Sequence, residues 1–94
     1  MNEQTTKDKL DDEIPAHTQG GLERYRDNHC EPGGFLYAVL TNNLRLAVRR
    51  ADSENLAELP RIVTWIFHNM PTTAWGDEER YRAWINNEKA KENQ

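Results

Sequence analysis

Apolar side chains recur every three or four residues between Phe35 and Ala51, the spacing of one face of an α-helix. Pro32 and the two glycines after it favour a turn before this stripe. Asn42-Asn43 interrupts the stripe, because asparagine competes with helical hydrogen bonds and is a good N-cap. The segment therefore predicts two short helices, about 34–41 and 44–50, or one bent helix.

Helical patterns also lie on either side of this segment. Thr18 is a potential N-cap of a short first helix that ends at Asp27-Asn28. After Met70-Pro71 the chain forms a loop around Trp75. Asp77 then caps a last helix, whose first turn is acidic and therefore complements the helix dipole.

The strongest helical pattern spans residues 53–69 and begins at the capping pair Asp52-Ser53. Pro60 lies inside it and should kink the helix or delay its regular part. The expected core face of this segment consists of Leu56, Leu59, Ile62, Val63, Ile66, Phe67 and Met70.

Four or five helical segments joined by short loops, with no convincing alternation of apolar and polar residues, predict the all-α class. The expected architecture is a small irregular bundle with one core, since 94 residues are too few for two. The predicted domain covers 18–88. We expect an acidic, flexible segment over 1–17 and a polar, flexible tail over 89–94, because neither can bury enough apolar surface.

Charge and composition exclude several classes of function. Residues Thr18 to Ile85 contain nine acidic and eight basic side chains, a net charge of −1. No strong overall attraction to nucleic acid is therefore expected. No apolar run approaches the roughly 18 residues of a membrane span, and no signal sequence is evident, so we expect a cytoplasmic protein. The single cysteine, Cys30, excludes an internal disulfide and a thiol-rich metal site.

Three arginines form the sharpest surface feature: Arg45, Arg49 and Arg50. Arg45 and Arg49 are one helical turn apart and point away from the apolar stripe. Guanidinium groups bind carboxylates and phosphates, so the cluster could contact an acidic protein or a nucleic-acid backbone. The plainer interpretation is a solvated helix face that pairs with Asp52, Glu54 or the acidic N-terminus.

A helix-turn-helix is a second interpretation of the same residues. The helix near 36–41, the Asn42-Asn43 turn and the arginine helix would then form a DNA-reading unit. The near-neutral domain and the single close group of bases make this the minority hypothesis.

Tryptophans are the other candidate binding residues. Trp65 is set off the apolar stripe of its helix and is as well suited to an exposed interface anchor as to the core. Trp75 is better explained as a plug that folds back over the core. His17, His29 and His68 fit no short metal-ligand spacing, and a thiolate at Cys30 lacks an accompanying oxyanion motif, so an ordinary, partly buried cysteine is expected.

A longer pattern runs through Pro32-Gly33-Gly34-Phe35-Leu36, Ala38-Val39-Leu40, Asn42-Asn43-Leu44, Arg50-Ala51-Asp52, Asn55, Trp75-Gly76 and Ala83-Trp84-Ile85. In this pattern the chain resembles a group of small uncharacterised proteins encoded by bacteriophages and prophages, over roughly residues 22–85. Asn43 stands where the group usually has aspartate, and Pro60 where an ordinary helix former is expected. The resemblance implies a phage-type accessory protein and transfers no catalytic residue.

The leading hypothesis is a non-enzymatic protein without cofactor or metal, which binds a host protein or protein complex and inhibits or redirects it, for example a host defence system. The candidate partner-binding residues are Arg45, Arg49, Arg50, Trp65, Asp11, Asp12 and Glu13. The alternative is a nucleic-acid-binding regulator that uses the arginine helix. Self-association remains open under both hypotheses.

Overall fold

The computed structural model describes residues 14–92, with side chains through residue 86. In that range it contains six α-helices, one short 3₁₀-helix and no strand, which confirms the all-α class. The helices are α1 (Ala16–Asn28), α2 (Gly34–Leu40), α3 (Leu44–Arg50), α4 (Ser53–Ala57), α5 (Leu59–Asn69) and α6 (Glu78–Glu92), and the 3₁₀-helix is Thr72–Ala74. None of these helices is both long and apolar enough to cross a membrane.

Helix α2 lies at the centre of the bundle. Five of its seven residues are buried, and the core around it draws on every helix except α4. The buried apolar residues are Leu22, Tyr25, Phe35, Leu36, Ala38, Val39, Leu40, Ala47, Ile62, Trp65, Ile66, Met70, Ala74 and Tyr81. The turn before α2 and the glycine at its start agree with the sequence prediction.

The two asparagines between α2 and α3 have different roles. Asn42 takes a left-handed conformation with φ 62°, which ends α2. The side chain of Asn43 accepts a hydrogen bond of 3.1 Å from the backbone of Leu46 and caps α3. Of the two expected arrangements, two short helices or one bent helix, the structure has the two short helices.

The predicted helix 53–69 is divided into α4 and α5, which raises the number of helices to six. Pro60 lies in the first turn of α5, where a backbone N–H has no intrahelical partner and its absence costs little. Asp52 caps α4 through a 2.7 Å hydrogen bond to the backbone of Asn55. Pro60 thus marks the start of a helix rather than a kink within one.

The ends of the bundle differ from prediction at two points. Helix α1 begins before Thr18, with Pro15 at its N-cap position, so Thr18 is not a cap but a buried residue. Helix α6 extends to Glu92, beyond the expected domain boundary at 88. Asp77 caps α6 as expected, because its side chain accepts a 2.8 Å hydrogen bond from the backbone of Arg80.

Aromatic side chains join α6 to α1. The rings of Tyr25 and Tyr81 stack with centroids 5.5 Å apart. The indole N–H of Trp84 donates to the backbone oxygen of Tyr25 at 2.8 Å. His29 ends α1 in the left-handed conformation, and its Nδ1 lies 2.7 Å from the carbonyl oxygen of Trp84. These contacts fix the two helices against each other.

Candidate protein-binding surface

Several large apolar side chains stay exposed, although the sequence pattern placed them in the core. On α5, Phe67 is 71% exposed and Val63 is also exposed, and on α3 Leu44 is 68% exposed. The expected core face was therefore wrong at Leu56, Val63 and Phe67, and the apolar stripe of α3 does not continue into the core at Leu44 or Val48. The full set of exposed large apolar residues in the described range is Leu44, Val48, Leu56, Val63 and Phe67.

An apolar cleft of about 70 Å³ lies between α3 and α5. The buried residues Val39 and Ala47 line it together with the exposed side chains of Leu44 and Val63. Its other lining residues are Asn42, Asn43, Leu59 and Trp75. We refer to this feature as the α3–α5 cleft.

Two further apolar residues extend this cleft along its helices. Val48 follows Leu44 by four residues and Phe67 follows Val63 by four, so each lies about 40° from the preceding side chain around its helix. Both are exposed. Each helix therefore carries a second exposed apolar residue one turn from the one that lines the cleft, and we refer to Leu44, Val48, Val63 and Phe67 together as the apolar band. Clustered exposed apolar side chains are typical of binding surfaces.

The arginines of α3 lie next to this band. Arg45 and Arg49 are exposed and directly follow Leu44 and Val48, about 100° further around the helix. Arg50 points elsewhere, because its Nη1 lies only 3.1 Å from where a Cβ at Gly34 would be. The structure thus keeps Arg45 and Arg49 together and turns Arg50 toward the start of α2.

No arginine of α3 forms an ion pair within residues 14–86. Four other arginines do: Arg26 with Asp27, Arg61 with Glu58, Arg80 with Asp77 and Arg82 with Glu78. The ion pairs of α3 with Asp52 or Glu54 that the plainer interpretation expected are not formed, and its third expected partner, the acidic N-terminus, lies outside the described residues. Helix α3 therefore contains three arginines and no acid, and two of the arginines, Arg45 and Arg49, lie beside the apolar band.

Trp65 is not part of this surface, and its assignment as an interface anchor was wrong. It is 5% exposed and packs in the core. The guanidinium of Arg26 lies 5.7 Å from its ring centroid. Trp65 belongs to the face of α5 that is turned into the bundle, and Phe67 takes the outward position. Trp75 is half-buried against the core, in agreement with the expected plug.

Arg26 is fixed in this position by Asp27 as well as by Trp65. Its guanidinium donates to the Asp27 carboxylate at 2.8 Å and 3.1 Å. This hydrogen bonding lowers the pKa of Asp27 and raises the pKa of Arg26. Arg26 is thus a structural residue, unlike the arginines of α3.

Of the remaining candidate residues, some lie in the part of the chain that the structure describes and others lie outside it. Asp11, Asp12 and Glu13 lie outside the described residues. His29 contacts Trp84, and Cys30 is exposed rather than partly buried. Within residues 14–86 no three His, Cys, Asp or Glu side chains come together as a metal site would require.

The chain matches no protein-family model, no curated protein and no solved structure. Sequence reasoning found Arg45 and Arg49 but missed Leu44, Val63 and Phe67. The signal was present: the stripe of α5 together with Trp65 contains more apolar residues than one helix face can bury.

Proposed function

We propose that this protein is a non-enzymatic binding module that takes a segment of a partner protein into the α3–α5 cleft. The observation that carries the proposal is the pair Leu44 and Val63, two exposed apolar side chains that line one cleft from opposite helices. Burying exposed apolar area contributes roughly 25 cal/mol per Å², so covering this band favours association.

The partner segment that fits best is an amphipathic α-helix with acidic residues along one edge. A helix laid in a groove anchors through side chains three and four residues apart, which matches the spacing of Leu44 with Val48 and of Val63 with Phe67. Arg45 and Arg49 would meet the acidic edge, giving charge complementarity and a faster encounter.

The resemblance to phage proteins supports a biological setting for this binding. The protein would act in the bacterial cytoplasm as a phage-type accessory, occupying a surface of a host protein complex and thereby inhibiting or redirecting it. A host defence system is one such complex. The supporting features are the small single core, the apolar band and the arginines of α3, which form no ion pair within residues 14–86.

The test is affinity capture from host lysate with the whole chain as bait, quantified by mass spectrometry. Three baits are compared with wild type: Leu44→Ser/Phe67→Ser, Arg45→Glu/Arg49→Glu, and the control Arg80→Glu/Arg82→Glu. The control has the same charge change on exposed residues of α6. We expect one set of partners to be lost from both cleft variants and kept by the control.

A photo-crosslinking residue at position 63 then identifies the bound segment. Crosslinks to an apolar, acid-edged helix of the captured partner support the proposal. Recovery of the same proteins by wild type and both cleft variants would overturn it. Crosslinks between two copies of the chain would instead show that the cleft is a self-association surface.

The alternative is a nucleic-acid-binding regulator. It is favoured by the three arginines of α3, which pair with no acid among the described side chains. The α2–turn–α3 arrangement has the connectivity that this hypothesis requires. However, a reading helix turns polar groups outward, whereas α3 turns out Leu44 and Val48 beside its arginines. Binding to DNA that falls steeply with salt and is lost in Arg45→Glu/Arg49→Glu would favour the regulator.

A further inference from the structure

A second cavity lies on another part of the molecule and shares no lining residue with the α3–α5 cleft. It has a volume of about 240 Å³ and is formed by the start of α1, the loop before α2, and α4. Phe35, Leu36 and Pro32 supply its apolar wall, and Thr18, Asn55, His17, Arg24 and Glu31 supply its polar groups.

Asn55 is the unusual residue of this cavity, because it is a polar side chain only 6% exposed. Its Oδ1 accepts a 2.6 Å hydrogen bond from the Thr18 hydroxyl, across 37 positions of sequence. Its Nδ2 donates to no acceptor within residues 14–86. No buried side-chain nitrogen or oxygen in that range lacks a partner, so Nδ2 is not fully enclosed by protein. Asn55 also lines the cavity, which is therefore the space where we place a ligand for this free donor.

Arg24 supplies a second donor to the same cavity. It is exposed, forms no ion pair within the described side chains, and follows the two glycines of α1 by three and four residues. Its Nη1 lies over Gly20, 3.3 Å from the position that a Cβ of residue 20 would occupy. The guanidinium therefore extends toward the N-terminal end of α1, where Thr18 lies. Because Gly20 has no side chain, the Arg24 side chain has room to lie there.

The charges around the cavity favour an acceptor-rich ligand. Arg24 carries a positive charge, and Asn55 offers neutral N–H donors. Glu31 is the one acid in the lining, and it lies on the loop before α2 rather than on α1 or α4, which carry Arg24 and Asn55. Donors therefore outnumber acceptors on the side where Asn55 and Arg24 lie.

We propose that this cavity binds a small carboxylate with an apolar body. Asn55 Nδ2 and the Arg24 guanidinium donate to the two carboxylate oxygens, and Phe35 and Leu36 contact the apolar part. A planar guanidinium matches a planar carboxylate. The volume lies below the roughly 300–1,000 Å³ of drug-sized pockets, which suits a short-chain acid or the last residue of a polypeptide.

The test compares an acid with its neutral isostere by amide-correlation NMR of the whole chain. The probes are isovalerate against isovaleramide, and N-acetyl-leucine against N-acetyl-leucinamide for the polypeptide C-terminus. We expect the acids to shift the side-chain amide signals of Asn55 and the backbone signals of α1, with at least about tenfold tighter binding than the amides. The relative affinity of the two acids identifies the source of the carboxylate.

Two variants locate the binding groups. Asn55→Asp keeps the acceptor for the Thr18 hydroxyl but replaces the Nδ2 donor with a charged oxygen, so acid binding should be lost. Arg24→Gln changes an exposed side chain, so it tests the second donor even where Asn55→Asp lowers stability. Arg45→Gln is the control and should bind like wild type.

Equal affinity for acid and amide, or unchanged acid binding in Arg24→Gln, would overturn the assignment. So would signal changes confined to residues outside the cavity. Because Arg45 and Leu44 are absent from this site, its failure leaves the proposed partner binding untouched, and the reverse also holds.

Discussion

The hydroxyl of Tyr25 donates a 2.6 Å hydrogen bond to the backbone oxygen of Ala74. Both residues are fully buried and lie 49 positions apart, so this bond ties α1 to the 3₁₀-helix before α6. A second backbone contact supports the same loop, because Gly76 N–H donates to the carbonyl oxygen of Leu40 at 2.8 Å. The Trp75-Gly76 segment is thereby held against the end of α2, where Trp75 reaches the α3–α5 cleft.

Tyr25→Phe should lower the free energy of unfolding by about 1–3 kcal/mol, because the ring still packs but the carbonyl of Ala74 loses its buried donor. Urea denaturation followed by circular dichroism measures the change. Tyr37→Phe is the comparison, since Tyr37 is only half-buried, and it should cost less. Equal costs for the two variants would contradict the assigned role of the bond.

Alkaline pH should destabilise the fold through the same tyrosine. Burial raises the pKa of Tyr25 far above its usual value of 10.0, and Tyr81 raises it further. Below pH 10.0 the tyrosines are neutral in both states, and the stabilisation is complete. Above that value the unfolded chain releases protons that folded Tyr25 retains, so the free energy of unfolding falls.

Urea denaturation at a series of alkaline pH values measures this dependence. Tyr25→Phe should fall less steeply with pH than wild type, although it is less stable at neutral pH. Burial raises the pKa of Tyr81 too, so some dependence should remain in the variant. Identical slopes for the two proteins would contradict the prediction.

Substitutions on α5 check which of its faces is buried. Ile62 is fully buried, so Ile62→Ala should cost about 2–5 kcal/mol of the free energy of unfolding. Phe67→Ser should change it by less than about 0.5 kcal/mol, because the ring is largely exposed. Thermal and urea denaturation of both variants gives the comparison. A large cost at Phe67 would mean that the sequence-based core face was right.

The turn between α2 and α3 gives a test of backbone conformation. Asn42 has φ 62°, a conformation that glycine adopts freely and β-branched residues resist. Asn42→Gly should therefore leave stability nearly unchanged, whereas Asn42→Val should lower it by at least about 1 kcal/mol. Urea denaturation distinguishes the two, and equal effects would show that φ does not determine the choice of residue here.

Helix caps and breaks depend on residues close together in sequence, so most helices could be predicted from the sequence alone. Asn43, Asp52 and Asp77 each bond a backbone N–H within three positions, so their roles depend on near neighbours. The break at Asn42-Asn43 and the all-α class followed from the same short-range rules. The start of the first helix was misplaced, because Thr18 has capping chemistry but uses its hydroxyl to bond Asn55. The predicted helix 53–69 is divided into α4 and α5.

Which face of each helix is buried could be predicted much less well from the sequence. On α5 the apolar residues span more of the circumference than can be buried, and sequence periodicity alone gave no reason to choose Trp65 over Phe67. In the fold Trp65 is the residue that packs into the core formed with the other helices, and Arg26 of α1 lies over its ring. The candidate surface was missed for the same reason, since Leu44 and Val63 belong to separate stripes that only the fold brings to one cleft.

The Thr18–Asn55 bond is the clearest long-range contact that the sequence did not reveal, and it can be tested by removing one hydroxyl. Thr18→Val keeps the shape of the side chain but leaves Asn55 Oδ1 without its donor, at a cost of about 1–3 kcal/mol. Thr18→Ser retains the bond and should cost less. Thr64→Val is the matched control, because the Thr64 hydroxyl bonds only Pro60 O within its own helix; its effect should be under about 0.5 kcal/mol. If Thr18→Val and Thr64→Val prove equally mild in urea denaturation, the bond does not hold α1 against α4.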